Sequence, residues 1–404
     1  MSAGTIVRHS DSTMYGDTTQ RIKELLDGGF PATSALGKEI RHRVSSGDFE
    51  WTTLLGAELA RRAARGGEDP PEHVFLLDRL QTALAAAEGQ QSLRALLCLP
   101  VSVQAGGPAQ TRAERRLAHL VALGHRPADI VQAVYGEQLG IAASDEFKAC
   151  LLQELVLRGV AVRQYPVLRS FGEALVTEGH PLAPLPLHLL PAERALLRPP
   201  HAPPDWTWAL SPAAVEKQSD QPGLGVSPEM RRRGGAADPA EITVAESAVA
   251  MSAAVRHWVE ESNGRVAAQE FWSASAVSPD DFAAVFERLP LTAWPAGERR
   301  ARLHPASSGR VLRVLLTAAV RSPAYGNARF GAYGRLAAWR SLGGLVGAAP
   351  DASIGHTARL VEQAHWFVAD PSSGWFCLVA WDLAVAVLRA GGQEIAVLTA
   401  TDTD

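Results

Sequence analysis

Apolar residues recur three and four positions apart through most of the first 180 residues. The pattern is carried by Ile22, Leu25 and Leu26; Leu36, Ile40 and Val44; Leu76, Leu77, Leu80 and Leu84; Leu117, Leu120 and Val121; and Leu151, Leu152 and Leu155. Such spacing lines one face of a helix with apolar side chains, so it predicts helix after helix. Helix starts are expected near Asp17, Thr33, Trp51, Pro70, Thr111, Pro127, Ser144 and Pro166. Thr111 and Glu114 have the spacing of a capping box. Pro127 and Pro166 suit a first turn, where no N–H partner is lost. The starts fall roughly 16–20 residues apart, so that a helix pair would repeat in the high thirties. Two arrangements give that spacing: a stacked, HEAT-like array and a plain antiparallel bundle.

The pattern changes at residues 181–240. Prolines 181, 184, 186, 191, 199, 200, 203 and 204 interrupt regular structure. Gln218 to Pro239 is rich in Gly, Pro, Ser and charge, which predicts a linker. Inside it, Arg231-Arg232-Arg233-Gly234-Gly235 reads as a solvated charge run.

Residues 241–404 mix two periods. One helix is expected from Glu241 to the turn signal Asn263-Gly264, and others over Arg310–Arg321, Ala332–Leu345 and Ser353–Phe367. Arg265–Ser275 alternates as a strand. Asp382–Arg389 and Glu394–Thr401 flank Ala390-Gly391-Gly392-Gln393 and predict a β-hairpin with a glycine-supplied turn. Leu383, Val385 and Val387 oppose Ala384, Ala386 and Leu388, so both faces are apolar and helices should cover the hairpin. The expected fold is mainly α: an all-helical array over 1–180, a linker over 181–240, and an α+β domain over 241–404 whose small antiparallel sheet ends in the hairpin.

Composition narrows the function classes. The chain has 404 residues, with 39 Lys+Arg against 43 Asp+Glu and a formal charge of −4, which does not suit a nucleic-acid protein. The strong excess of Arg over Lys fits a GC-rich, actinobacterial genome. Three widely spaced cysteines, Cys98, Cys150 and Cys377, form neither a disulfide framework nor a CxxC site. Met1 to Gln20 has no apolar leader, and no apolar run approaches the ~18–20 residues needed to cross a bilayer. The expectation is a cytoplasmic protein that contacts no membrane.

The common nucleotide, hydrolase, metalloprotease and kinase motifs are missing, which leaves scattered polar clusters. Glu39/His42 and Glu362/His365 are i, i+3 pairs, but two such pairs are unremarkable at this Glu and His content, and no metal or cofactor is expected. If residues 353–367 are one helix, Glu362 and His365 share a face, where a carboxylate orienting an imidazole gives an acid–base pair. Asp382 at the hairpin start is the third catalytic candidate, and Trp366 and Trp381 could line a ligand site. The run Tyr325-Gly326-Asn327-Ala328-Arg329-Phe330-Gly331-Ala332-Tyr333-Gly334-Arg335 is the other candidate. There Arg329 or Arg335 would grip an anion at a helix start, beside Tyr325 and Tyr333, while the glycines allow close backbone approach. Gly343, Gly344 and Gly347 read as a face for close helix packing.

Two functions follow. The first is a non-enzymatic binding, scaffold or regulatory protein with a helical surface and a small pocket for a protein partner or a small anionic ligand; an immunity protein falls in this class. The second is an enzyme of specialised small-molecule metabolism that uses Glu362 and His365 on an Arg-held anionic substrate.

Overall fold

The computed structural model describes residues 7–63, 71–100, 107–136, 143–196, 238–295, 301–378 and 381–403. The Gln218–Pro239 linker falls almost wholly outside them, and the Arg231–Gly235 run wholly so. By packing, the chain divides into Met1–Leu155 with Arg163–Phe171, and Val156–Val162 with Gly172–Asp404. The fold is mainly helical, with an antiparallel sheet in the second unit.

The first unit holds α1 (Val7–Asp27), α2 (Gly29–Ser45), α3 (Phe49–Ala63), α4 (Pro71–Ala86), α5 (Gln90–Cys98), α6 (Gly107–Gly124), α7 (Pro127–Ile130) and most of α8 (Asp145–Leu157). A π-helical turn, Val131–Tyr135, continues α7, and α9 (Pro166–Thr177), which begins at the expected proline, follows α8 along the chain. The periodic leucines are the reason these segments pair: Ile22, Leu36, Ile40, Leu55, Leu80, Leu84, Val121 and Leu155 are all fully buried. Side chains at the starts act as caps where they can. Asp48 accepts from Trp51 N at 3.1 Å, and Ser144 from Phe147 N at 3.1 Å.

From α1 to α6, each helix packs chiefly on those one and two places along the chain, α1 on α2 and α3, α2 on α3 and α4, and so on to α4 on α6. This is the ladder of stacked helix pairs. A closed bundle would also pack the first helix on the last, and among the described residues α1 and α6 do not pack closely. Arg116 on α6 ties the α4–α6 step by donating to Gln81 Oε1 at 2.7 Å and Thr82 Oγ1 at 3.0 Å. Arg115 with Glu146 at 3.0 Å, and His119 with Glu154 at 3.3 Å, extend the ladder to α8.

Several boundaries differ from the sequence pattern. The Thr111 capping box is not formed, because α6 begins at Gly107 and the Thr111 hydroxyl bonds back to Gly107 O at 3.3 Å. Asp17 lies inside α1, and α5 was not anticipated. Residues 181–196, expected as linker, are built into the second unit: Leu182, Leu185 and Leu190 are buried, and Pro191–Leu196 forms a 3₁₀ helix.

The second unit is organised by a six-stranded antiparallel sheet in the order β1-β2-β6-β5-β4-β3. Its strands are β1 (Ala240–Glu241), β2 (Arg265–Trp272), β3 (Leu303–Ala306), β4 (His365–Ala369), β5 (Trp381–Leu388) and β6 (Glu394–Asp402). The hairpin stands as the alternation predicts, with Leu383 opposite Ala400 and Leu388 opposite Ile395. Arg389 N donates to Glu394 O at 3.0 Å to close it, and Gly392 supplies a φ of +70° in the turn.

Alternation divides the sheet into two apolar faces. Phe271, Ile395, Val397, Ala384, Ala386, Leu388, Phe367, Ala369 and Leu303 join a cluster with Phe282, Phe286, Trp294 and Phe376. The other face, with Leu383, Val385, Val387 and Leu398, carries the helices. These are α10 (Ala245–Met251), α11 (Arg256–Glu261), α13 (Ser308–Val320) and α14 (Phe330–Leu345); α12 (Phe282–Phe286) lies in the first cluster and α15 (Ile354–Gln363) packs on α14.

The single helix expected over 241–262 is instead β1 and two short helices. Ile242 N pairs with Glu270 O at 2.8 Å, which holds the start of that segment extended along β2. The expected 353–367 helix also stops early. Ala364 is extended, Trp366 Nε1 donates to Val361 O at 2.9 Å, and His365 to Ala369 pair as β4.

Candidate functional site

Tyr325, Arg329, Trp381 and Asp382 come to one end of the sheet, where β5 begins and β6 ends. Trp381 is opposite Asp402 and Asp382 opposite Thr401, so alternation puts Trp381 and Asp382 on different faces. Asp382 shares its row with Thr401 and Arg265, and its Oδ1 is buried without a hydrogen-bond partner. Trp381 is stacked under Arg321, whose Cζ lies 4.6 Å from the ring centre.

The glycine-containing run is strapped to the protein itself. Asp402, fully buried, accepts from Ala324 N at 2.7 Å and Ser262 Oγ at 2.8 Å; Ser262 Oγ accepts from Tyr325 N at 3.1 Å; and Glu261 accepts from Asn327 N at 3.0 Å. A Cβ on Gly326 would meet Pro323 at 2.6 Å and Glu261 at 2.9 Å, so the close approach inferred for this glycine is to the chain itself, its own loop and helix α11. Arg329 lies 4.0 Å from Glu260, and the Tyr325 side chain is exposed. Tyr333 is half-buried on α14.

Behind the strap, His257 is fully buried. Its Nε2 lies 3.2 Å from Arg321 O, an acceptor, so that nitrogen carries the proton. Burial first, and then the charge of Arg329, push its pKa down to about 4, so the ring is neutral.

Two of the ligand candidates are parts of the core. Arg335, expected to hold an anion at the start of the helix, is 1% exposed. Its Nε donates to Glu193 Oε1 at 2.6 Å and its Nη2 to Glu193 Oε2 at 2.8 Å. Its anion is therefore supplied from within the chain, because α14 is buried on nearly every side. Trp366 is likewise buried, its N–H used by Val361 O.

The Glu362/His365 pair does not share a helix face. Glu362 stays on α15 and accepts from Ser308 Oγ at 2.9 Å, whereas His365 opens β4 opposite Leu388. Asp382 is at the other end of β5, roughly 20 Å from that position at the rise of a strand. These three residues therefore do not form one catalytic set.

The structure supplies a different imidazole–carboxylate pair. His304 on the edge strand β3 has Nε2 2.9 Å from Asp370 Oδ1, just past β4, where Asp370 N also pairs with Arg302 O at 3.1 Å. The side chain of His304 is 16% exposed, and its Nδ1 is buried without a hydrogen-bond partner. A carboxylate on one ring nitrogen orients the ring and leaves the other as a base or, once protonated, a donor. Arg310, in the first turn of α13, lies within electrostatic reach of Asp370, and its Nε too is buried without a partner. Burial lowers the pKa of Arg310, and burial and Arg310 together lower that of Arg313 one turn on. Sequence reasoning missed this pair because its members are 66 residues apart and meet only through β3–β4 pairing.

Among the described residues no helix is long and apolar enough to cross a membrane, and no group of three or more His, Cys, Asp or Glu side chains could hold a metal ion. Fold and site together define a mainly α protein, a helical ladder joined to a helix-covered antiparallel sheet. The chain belongs to DUF6183, a family of unknown function, whose model matches residues 34–404. No curated protein and no solved structure matches it.

Proposed function

We propose that the protein is a binding protein, regulatory or scaffolding, that presents the helical ladder to a protein partner in the cytoplasm. The observation that carries this reading is the one- and two-step packing of α1 to α6. Stacking of that kind buries each helix against its neighbours and leaves a long row of helix faces outside, the geometry that repeat proteins use for partners. Composition on α4 adds support. Val74 and Phe75 are 49% and 43% exposed, and the Arg79 guanidinium sits 4.9 Å from the Phe75 ring centre. Aromatic and Arg side chains dominate the energetic centres of interfaces. The three cysteines are free, as suits a reducing compartment.

The test is co-purification of the tagged full chain from its native host, beside Val74→Asp/Phe75→Asp. The expected result is a stoichiometric partner bound by the wild type and lost from the variant, with helical circular dichroism unchanged. A partner retained by the variant, or a wild-type chain that elutes alone, would overturn the reading.

One observation favours the enzymatic alternative, the His304–Asp370 pair. On that reading His304 is the base and Arg310 holds the substrate's anionic group. Incubation with phosphorylated and carboxylated metabolite pools tests it. Turnover by the wild type that disappears in His304→Gln is expected, and equal turnover by both would remove this pair from the chemistry.

A further inference from the structure

Strand β2 is covered along only part of one side. On its inner side it is bonded to β6 from Arg265 to Trp272. On its outer side β1 reaches only Phe271 and Trp272, and Ile242 N extends the pairing to Glu270 O. Ser273 N donates to Gln393 O at 2.8 Å in continuation of the β2–β6 register, so the odd residues of β2 bond to β6 and the even ones turn their backbone groups outward. Glu270 follows this alternation, because its N–H is taken on the outer side by Thr243 Oγ1 at 2.9 Å. The N–H and C=O groups of Val266 and Ala268 therefore leave the sheet at its edge, and among the described residues no strand meets them.

This stretch carries none of the residues that guard an edge. The strand at the opposite edge, β3, contains Pro305, which has no N–H to offer. Val266-Ala267-Ala268 has neither proline nor charge, the usual devices against edge pairing. All three residues are half-buried. The two short helices that pack on β2 also leave apolar side chains outside: Val244 at the start of α10, Val249 on α10 and Val259 on α11 are each more than half exposed. Exposed apolar side chains beside open backbone suit the addition of another strand.

The open stretch is symmetric about Ala267. Three places after it, Glu270 is already bonded to Ile242 and Thr243; three places before it, Gly264 N donates to Trp258 O at 2.9 Å. We propose that the protein forms a twofold dimer by antiparallel pairing of β2 with β2 of a second copy, the axis passing at Ala267. Val266 then lies opposite Ala268 of the partner subunit, and Ala268 opposite the partner subunit's Val266. Both are hydrogen-bonded positions, so four N–H···O=C bonds satisfy all four outward groups at once. Ala267 meets its own copy at a non-hydrogen-bonded position, where Cα atoms approach to about 4.5 Å and a small side chain fits. Arg265 faces Gln269 of the partner subunit, beside the exposed Glu241 that shares its sheet face, so charge favours the same register. The interface lies on the second unit and is independent of the ladder surface.

Sedimentation of the full chain over a dilution series, with amide hydrogen exchange, is the test. A monomer–dimer equilibrium is expected, in which the Val266 and Ala268 amides are protected in the dimer and exchange freely on dilution. Ala268→Pro removes an N–H that β6 does not use, so it should weaken the dimer about thirtyfold, the worth of the two hydrogen bonds it deletes. Should that variant fail to fold, Ala267→Lys and Ala267→Glu give a second test. Each alone sets like charges across the axis and should stay monomeric, and an equimolar mixture of the two should dimerise. A wild-type chain that is monomeric at about 100 µM, a dimer whose Val266 and Ala268 amides stay unprotected, or a dimer that Ala268→Pro leaves at wild-type affinity would overturn the proposal. So would charge variants that associate no better mixed than alone.

Discussion

Glu193 receives hydrogen bonds from Arg335 Nε and Nη2, from Trp339 Nε1 at 2.8 Å and from Leu190 N at 2.8 Å, all out of contact with water. Removing the cation would leave that carboxylate buried and uncompensated. Arg335→Met should therefore cost about 3–5 kcal/mol in urea unfolding of the second unit. Trp339→Phe, which removes one donor to the carboxylate and shrinks a buried ring, should cost about 2–3 kcal/mol. His257 gives a pH prediction. Its folded-state pKa of about 4 lies below the ordinary 6.5, so between those values the unfolded chain binds a proton that the native state does not. Its contribution is complete above pH 6.5 and fades as the pH falls toward 4, by a total of about 3 kcal/mol. The loss of stability between pH 7 and pH 4.5 should accordingly be smaller in His257→Phe than in the wild type. At this scale the sequence showed which residue types stood out, but not which were buried. Arg335 and Arg329 occupy the same glycine-containing run, and only packing separates an inner ion pair from an outer one.

Helix crossings are set by single glycines. A Cβ on Gly344 would lie 2.5 Å from Met251 N, against the backbone of α10, whereas a Cβ on the adjacent Gly343 would meet nothing closer than 3.6 Å. Gly344→Ala should thus destabilise the second unit by about 1–3 kcal/mol. Gly343→Ala should be neutral or add about 0.5–1 kcal/mol through helix propensity. Thermal unfolding of the two variants, side by side, checks the contrast. The small-residue face inferred at 343, 344 and 347 is in this sense half right: Gly344 is required by contact and Gly343 is not. Gly347 adopts a φ of +69° against Arg389. Elements whose signal is local were legible. The β5–β6 hairpin needs only alternation and a turn, and its bounds fall within a residue or two of the expected ones. The 353–367 segment was misread because Leu360, Val361 and Ala364 continue a helical period into residues that pair with β5. A long-range strand partner outweighs local period, and one sequence does not reveal the partner.

At the scale of the whole chain, helical periodicity in the first part and alternation in the last were enough to fix the fold class. They did not place the 3₁₀ segment at 191–196 within the sheet-bearing unit, because its burial comes from Arg335 and Trp339, far along the chain. The ladder also could not be told from a bundle by spacing alone. That difference lies in which helices touch. In the sheet, β6 is bonded to β2 on one side and β5 on the other over nearly its full length. A chain shortened to residue 393 should lose the sheet, and limited proteolysis should then degrade the second unit while the full chain resists.

The strand order also bears on how the molecule is made. The ribosome delivers β6 after each of its two neighbours, so every nascent chain passes through a stage in which β2 and β5 both wait with open edges. Those edges carry Val266–Ala268, Phe271 and Trp272 on one strand and the apolar run Leu383–Leu388 on the other. Unclaimed apolar edges are templates for pairing with other chains, so recombinant yield should suffer most where translation pauses just before Glu394 and recover when slow codons there are replaced by fast synonymous ones.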